Sequence, residues 1–185
     1  ITGSVLGALA GYYGGKVDYI ITSITDIAYS FPTTLLAIAF IAILGPGLKS
    51  VVIAISLASW SGYCRVVRGQ FISLKNREFV VAARILGMND GRIMFRHILP
   101  NTLAPIIVMA TLELPKAIVI EASLSFLGLG TQPPLPSWGV ILDSGKGFIG
   151  MAPWISFFPG LMIMLVVMGF NLFGDALRDF LDPNL

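Results

Sequence analysis

"PWISFFPGLMIMLVVMGFNLF", residues 153–173, holds no charged side chain. At about 1.5 Å per residue, a helix over this stretch reaches about 31 Å, close to the hydrocarbon thickness of a bilayer. A run of this length and composition is a transmembrane helix. The fold class therefore turns on whether the rest of the chain repeats the pattern.

It does. The 185 residues are 56% hydrophobic and 12% charged, with a mean hydropathy of +0.86. A soluble domain carries about 25% charged residues, so halving that share places the chain among membrane proteins. The net charge of +2 is too small to call for a nucleic-acid partner. The single cysteine, Cys64, lies in an apolar run and reads as a small buried residue.

Working back from the last span, apolar segments predict transmembrane helices at about 32–47, 51–71, 100–124 and 153–174. Residues 1–13 are too short to cross alone and read as the end of a truncated span. With Ile at position 1, the chain is expected to lack its true N-terminus. Residues 17–31 place Val17, Ile20, Ile21, Ile24 and Ile27 at helical spacing, with Asp18, Thr22, Asp26 and Ser30 largely between them. That pattern predicts an amphipathic helix on the membrane surface. Residues 125–152, rich in Gly and Pro, form the longest loop, with a short helix expected at "VILDSGKGFIG". Trp138 and Trp154 fit an interfacial aromatic belt. The whole is one all-α domain, a polytopic helical bundle.

Seven of the twelve basic residues lie between 65 and 96: Arg65, Arg68, Lys75, Arg77, Arg84, Arg92 and Arg96. By the positive-inside rule this segment is cytoplasmic, residues 125–152 are outside, and the C-terminus "DALRDFLDPNL" is inside. Arg65 and Arg68, at the end of a span, are expected to snorkel to the interface.

The basic island, about 72–99, has its own architecture. "REFVVAARIL" contains good helix formers, and Asn76 is placed to cap it. Val80, Ala83 and Leu86 are expected near one face, with Ala82 beside them. Gly87 fits a helix C-terminus, and Asn89 or Asp90 can cap a second short helix over 91–98. Pro100 is placed to open the next span. Two short helices meeting at a glycine make a compact knob whose small residues admit another protein closely. An ordinary charged loop is equally consistent with these residues alone.

The island resembles the cytoplasmic "EAA" loop of ABC importer permeases: E-A-A, three residues, G, nine residues, I-x-L-P. Here Ala82 and Ala83 are followed by Gly87, and Leu99 and Pro100 close the motif. Val81 stands where the motif has Glu, and His97 where it has Ile; Glu78, one turn earlier, is the available carboxylate. The stretches "AGYYGGKVD", "ITDIAYSFPTTLLAIA", "RHILPN", "EASLSFLGLGTQPPLPSWG" and "FNLFGDALRDFLDP" extend the likeness over nearly the whole chain. They are similar to the second, C-type permease subunit of the dipeptide/oligopeptide/nickel transport family.

That resemblance implies the MetI-like fold of type I ABC importers, N-terminally truncated, in a prokaryotic inner membrane. It implies import of di- or oligopeptides, with nickel or another small solute as the alternative. It also implies a second permease subunit, two ATPase subunits that bind ATP and Mg²⁺, and an extracytoplasmic substrate-binding protein. Glu78, Ala82, Ala83, Gly87, Leu99 and Pro100 would then form the coupling segment seated in the ATPase.

The chain carries no chemistry of its own that competes with this reading. "LDSGKGF" has the Gly-Lys pair of a phosphate-binding loop. It lacks the Gly five positions before Gly145 and the hydroxyl after Lys146 that such a loop requires. No cofactor is expected in this chain. One His and one Cys do not make a zinc site, and His97 is expected to make a structural hydrogen bond. A membrane-embedded hydrolase would need a nucleophile–base pair that the sequence does not offer. An ATP-independent secondary transporter would need a coupling-ion site, for which Glu113 and Glu121 are the candidates. A charge at mid-bilayer costs at least about 2.5–3.5 kcal/mol, so Glu113, Lys116 and Glu121 are not expected to face lipid. Glu113 and Lys116 are spaced to pair on one helix, whereas Glu121 lies on another face. The three are either a self-neutralising pair plus a capped carboxylate, or a polar wall of the translocation path.

Overall fold

A computed structural model describes residues 1–181. The last four residues of the C-terminal motif, including its Asp-Pro pair, lie outside the described residues. The described secondary structure is helical: α1 (Thr2–Tyr13), α2 (Gly15–Tyr29), α3 (Thr33–Leu44), α4 (Leu48–Leu74), α5 (Glu78–Ile85), α6 (Asp90–Ile93), α7 (Leu99–Phe126), α8 (Trp138–Gly145) and α9 (Trp154–Leu181). A π-helical turn, Met94–Ile98, joins α6 to α7, and a 3₁₀ turn, Lys146–Phe148, follows α8.

The helical segments α4, Asp90–Phe126 and α9 are long and apolar enough to cross a membrane. The 12 residues of α3 cover only about 18 Å and do not reach across a bilayer alone. The apolar run predicted to begin at Pro32 thus makes a full crossing only if α2 and α3 together form one broken span. Pro32 caps α3 in an extended conformation, φ −56° and ψ 130°, which separates the two helices.

Contacts divide the chain into two compact units. Of the described residues, the first comprises 1–31, 59–109 and 180–181; the second comprises 32–58 and 110–179. In the first unit, α1 packs its glycines against α4. A Cβ on Gly3 would run into the carbonyl of Trp60, and one on Gly7 into the carbonyl of Cys64. A Cβ on Gly11 would stand 2.6 Å from the Cβ of Phe71. Small residues every fourth position let two helix backbones touch, the usual means of packing where lipid removes the hydrophobic drive between helices.

The same unit pairs Arg65 and Arg68 with the acidic residues of α2. The guanidinium of Arg68 forks onto Asp18, with Nη2 donating to Oδ2 at 2.7 Å. Arg65 Nη2 donates to Asp26 Oδ1 at 2.9 Å and stacks over the Tyr29 ring at 3.9 Å. The arginines join α4 to α2. Planar bidentate pairing satisfies Arg and Asp together, which a separate reading of each helix does not anticipate. Cys64 is buried, and its sulfur accepts a hydrogen bond from Thr25 Oγ1 at 3.4 Å.

In the second unit the core is Ala37 and Ile41 of α3, Val51 and Ala54 of α4, and Leu124 of α7. Gly139 of α8 sits against the carbonyl of Ala122, and Gly174 of α9 against Leu112 of α7. Ser137 caps α8, its side chain accepting from Val140 N at 3.2 Å, so the short helix expected near 140 forms and starts two residues earlier.

Candidate functional site

The basic island is built on the core of the first unit. Val80 and Ala83 of α5, Ile93, and Met94 and Ile98 of the π turn are buried with Tyr12, Val67 and Phe71. Leu99 packs at the edge of this cluster. Two polar contacts tie the island's surroundings to α1. Tyr12 Oη donates to Asp90 Oδ1 at 2.6 Å, and Lys75 Nζ donates to the Gly11 carbonyl at 2.8 Å, near the end of α1. Burial of five island residues in this core makes it a rigid platform rather than a loop.

Local capping follows the sequence in part. Asn89 Oδ1 accepts from Arg92 N at 2.8 Å, as its position predicts. Asn76 does not cap α5; the N-cap is Arg77, with no side-chain bond. Gly87 adopts φ +76°, and a Cβ there would meet nothing within 4 Å. Its role is therefore conformational and not one of space. Pro100 does not open a helix. The chain is helical from Asp90 to Phe126, and Leu99 N donates to Met94 O across the wide turn. A proline ring crowds the carbonyl four residues before it, here that of Arg96, and the π turn accommodates that crowding.

What the island shows outward differs from the expectation. Ala83 is buried at 3% exposure, so of the alanine pair only Ala82 is on the surface. Leu86 was expected near one face with Val80 and Ala83, yet those two are buried and Leu86 is 77% exposed. It lies six residues on, about 120° around the helix from Val80, and the backbone leaves the helix there. Glu78, Ala82, Ile85 and Leu86 then form one outward stripe at spacings of three and four, with Ile85 80% exposed. Pro100 is also exposed. Ile85 was not singled out in the sequence; the basic residues around it were the available signal.

The carboxylates of α7 separate into two arrangements. Lys116 Nζ donates to Glu113 Oε1 at 2.6 Å, the pair that the spacing predicts. Glu121 Oε1 accepts from Ser125 Oγ at 2.6 Å and from Thr131 Oγ1 at 2.9 Å. Ser125 Oγ in turn accepts from Thr131 N at 2.9 Å, which fixes the loop after α7 onto the helix. The i,i+4 spacing of Glu121 and Ser125 was visible in the sequence; the return of Thr131 was not. Glu121 and Thr131 line a cavity of about 690 Å³, otherwise largely apolar and formed by α4, α7, α8 and the loop between the last two. Trp138 lines this cavity, while Trp154 is 57% exposed at the start of α9.

His97 Nε2 is buried and finds no hydrogen-bond partner among the described residues, against the expectation of a structural one. Among the described residues no cluster of His, Cys, Asp or Glu is arranged to hold a metal ion.

The sequence pattern of binding-protein-dependent transport system inner membrane components matches residues 3–185. The chain belongs to that family. It is 54% identical over its full length to the dipeptide transport system permease protein DppC of Alkalihalophilus pseudofirmus, covering 61% of that protein. It is 47% identical over 99% of its length to the glutathione transport system permease protein GsiD of Pectobacterium atrosepticum, again covering 61%. It is 42% identical over its full length to the oligopeptide transport system permease protein OppC of Bacillus subtilis, also covering 61%. The chain thus spans about three-fifths of the length of these relatives. Its fold is similar to that in a structure of the MetNI methionine ABC transporter in inward-facing conformations. The TM-score is 0.73 at 18% identity, over 98% of this chain and 90% of the other. The expected MetI-like bundle is therefore the fold observed, and this permease-family chain is a multi-pass membrane protein.

Proposed function

We propose that the protein is a permease subunit of an ATP-driven, binding-protein-dependent importer of di- or oligopeptides. It pairs with a second permease subunit, two ATPase subunits that bind ATP and Mg²⁺, and an extracytoplasmic binding protein. Peptides are the substrate because the relatives named above are dipeptide, oligopeptide and glutathione permeases. ATP hydrolysis belongs to the partners. This chain lines part of the path and transmits their movement.

The observation that carries the reading is the outward stripe Glu78, Ala82, Ile85 and Leu86 on a platform whose opposite face is buried. Exposed Ile and Leu on a basic segment call for a partner surface. A rigid core behind them would turn a push on α5 into a movement of α7, through the unbroken helix from Asp90. Gly87, Leu99 and Pro100 act here by holding the geometry, and Ala83 as part of the core.

The test is capture of the ATPase subunits by the complete permease pair in nanodiscs. Leu86→Asp and Ala82→Trp are expected to reduce ATPase capture at least about tenfold, the scale of losing one well-packed anchor. The permease pair itself should be recovered at wild-type levels. Undiminished capture by both variants would place the contact elsewhere.

A further inference from the structure

The cavity of the second unit has an apolar wall that includes Ile55, Leu114, Ile118 and Trp138, with Glu121 and Thr131 supplying polar atoms. Among the described residues the donors to Glu121 are the hydroxyls of Ser125 and Thr131, and both fall on the same oxygen, Oε1. They aim the carboxylate and bring no positive charge. Among the described residues the ion pairs are Arg65–Asp26, Arg68–Asp18, Lys116–Glu113 and Lys146–Asp143, so none neutralises Glu121. Lys116, on the same helix, is already held by Glu113 at 2.6 Å.

An ionised carboxylate beside apolar walls is unfavourable unless water or a cation reaches it. A carboxylate has about four acceptor positions, and two hydroxyls leave the Oε2 side for a further donor. The complementary ligand carries an ammonium group next to an apolar body. We propose that this cavity is a transit site for the amino-terminal end of a peptide, with its α-ammonium on Glu121 and its first apolar side chain against Ile118 and Trp138. The proposal rests on the peptide-importer reading above. The volume of about 690 Å³ accepts a dipeptide or the leading residues of a longer chain. It lies inside the range of about 300–1,000 Å³ typical of small-molecule sites.

The experiment uses the complete transporter, with this chain at full length, in nanodiscs. The probes are the radiolabelled dipeptide Ala-Phe and its N-acetyl form. Equilibrium binding is measured without the binding protein, and ATP-driven uptake of Ala-Phe into proteoliposomes with it. Glu121→Gln keeps an oxygen to accept from Ser125 and Thr131 and removes only the charge. Its affinity for Ala-Phe is expected to be about tenfold or more below wild type, the scale of one charge-assisted hydrogen bond. The N-acetyl probe is expected to bind wild type and variant equally weakly. In wild type, Ala-Phe should bind about tenfold or more tighter than its N-acetyl form, a comparison that decides even if the variant does not assemble. Equal binding of the two probes by wild type, or equal binding of Ala-Phe by wild type and Glu121→Gln, overturns the site. If wild type nevertheless imports Ala-Phe, the importer reading survives that result. Absence of Ala-Phe uptake by wild type overturns the peptide reading and this site with it.

Discussion

Gly87 turns the chain between α5 and α6 at φ +76°, in open space. A Cβ there meets nothing within 4 Å; the backbone angle is what an L-residue resists, at about 1–2 kcal/mol, and a β-branched residue resists it more. Transport by Gly87→Val in the reconstituted complex is therefore expected to fall about tenfold or more, with complex recovery near wild type. Gly87→Asn, which tolerates this region, should retain most of it. Uptake by the Val variant equal to that of the Asn variant would remove the turn from the mechanism. Gly87 was legible because a glycine ending a helical pattern has few other uses. Ala82 and Ala83 were not separable in the same way. They are chemically identical neighbours about 100° apart on a helix, and only the packing of Ala83 into the island's core distinguishes them. Leu86 parts from Val80 and Ala83 because the backbone leaves the helix there, which its spacing alone does not show.

The helix α1 shows what holds an element in place where lipid competes for every apolar side chain. Its glycines at 3, 7 and 11 bring its backbone onto α4, and no larger residue fits. Gly7→Leu is expected to lower the thermal stability of the purified complex by about 1–3 kcal/mol, the cost of overpacking a tight contact. Gly69→Ala is the control: a Cβ there meets nothing within 4 Å, and replacing a mid-helix glycine should stabilise by about 0.5–1 kcal/mol. Thermal unfolding followed by loss of a monodisperse size-exclusion peak gives both values. Equal midpoints for the two variants would show that the α1–α4 contact contributes nothing. The long apolar helices were readable from composition and length, because about 20 apolar residues have few alternatives. The joint between α6 and α7 was not. Pro100 is a common helix starter, and only the wide turn before it lets the helix pass through. The ion pairs of α2 with α4 were also hidden, since each partner lies about 40 or 50 positions from the other.

For the molecule as a whole, the charge distribution makes a prediction that packing does not. Seven of the twelve basic residues lie between 65 and 96, and the positive-inside rule assigns that segment to the cytoplasm. The helix from Asp90 to Phe126 is long and apolar enough to cross the membrane, and the same rule then predicts that the loop after it lies outside. Glu78 and Leu135 are exposed residues in these two segments, and Cys64 is buried. In a Cys64→Ala background, Glu78→Cys should react with a membrane-impermeant maleimide only after the cell is opened. Leu135→Cys should react in intact spheroplasts. The labelling ratio between intact and opened cells is expected to differ by about tenfold or more between the two positions, because about 30 Å of hydrocarbon separates the two aqueous phases. Reaction of both from the same side would mean that the helix from Asp90 does not cross. The proposed contact of the stripe Glu78, Ala82, Ile85 and Leu86 with a cytoplasmic ATPase rests on that topology and would lose its support with it.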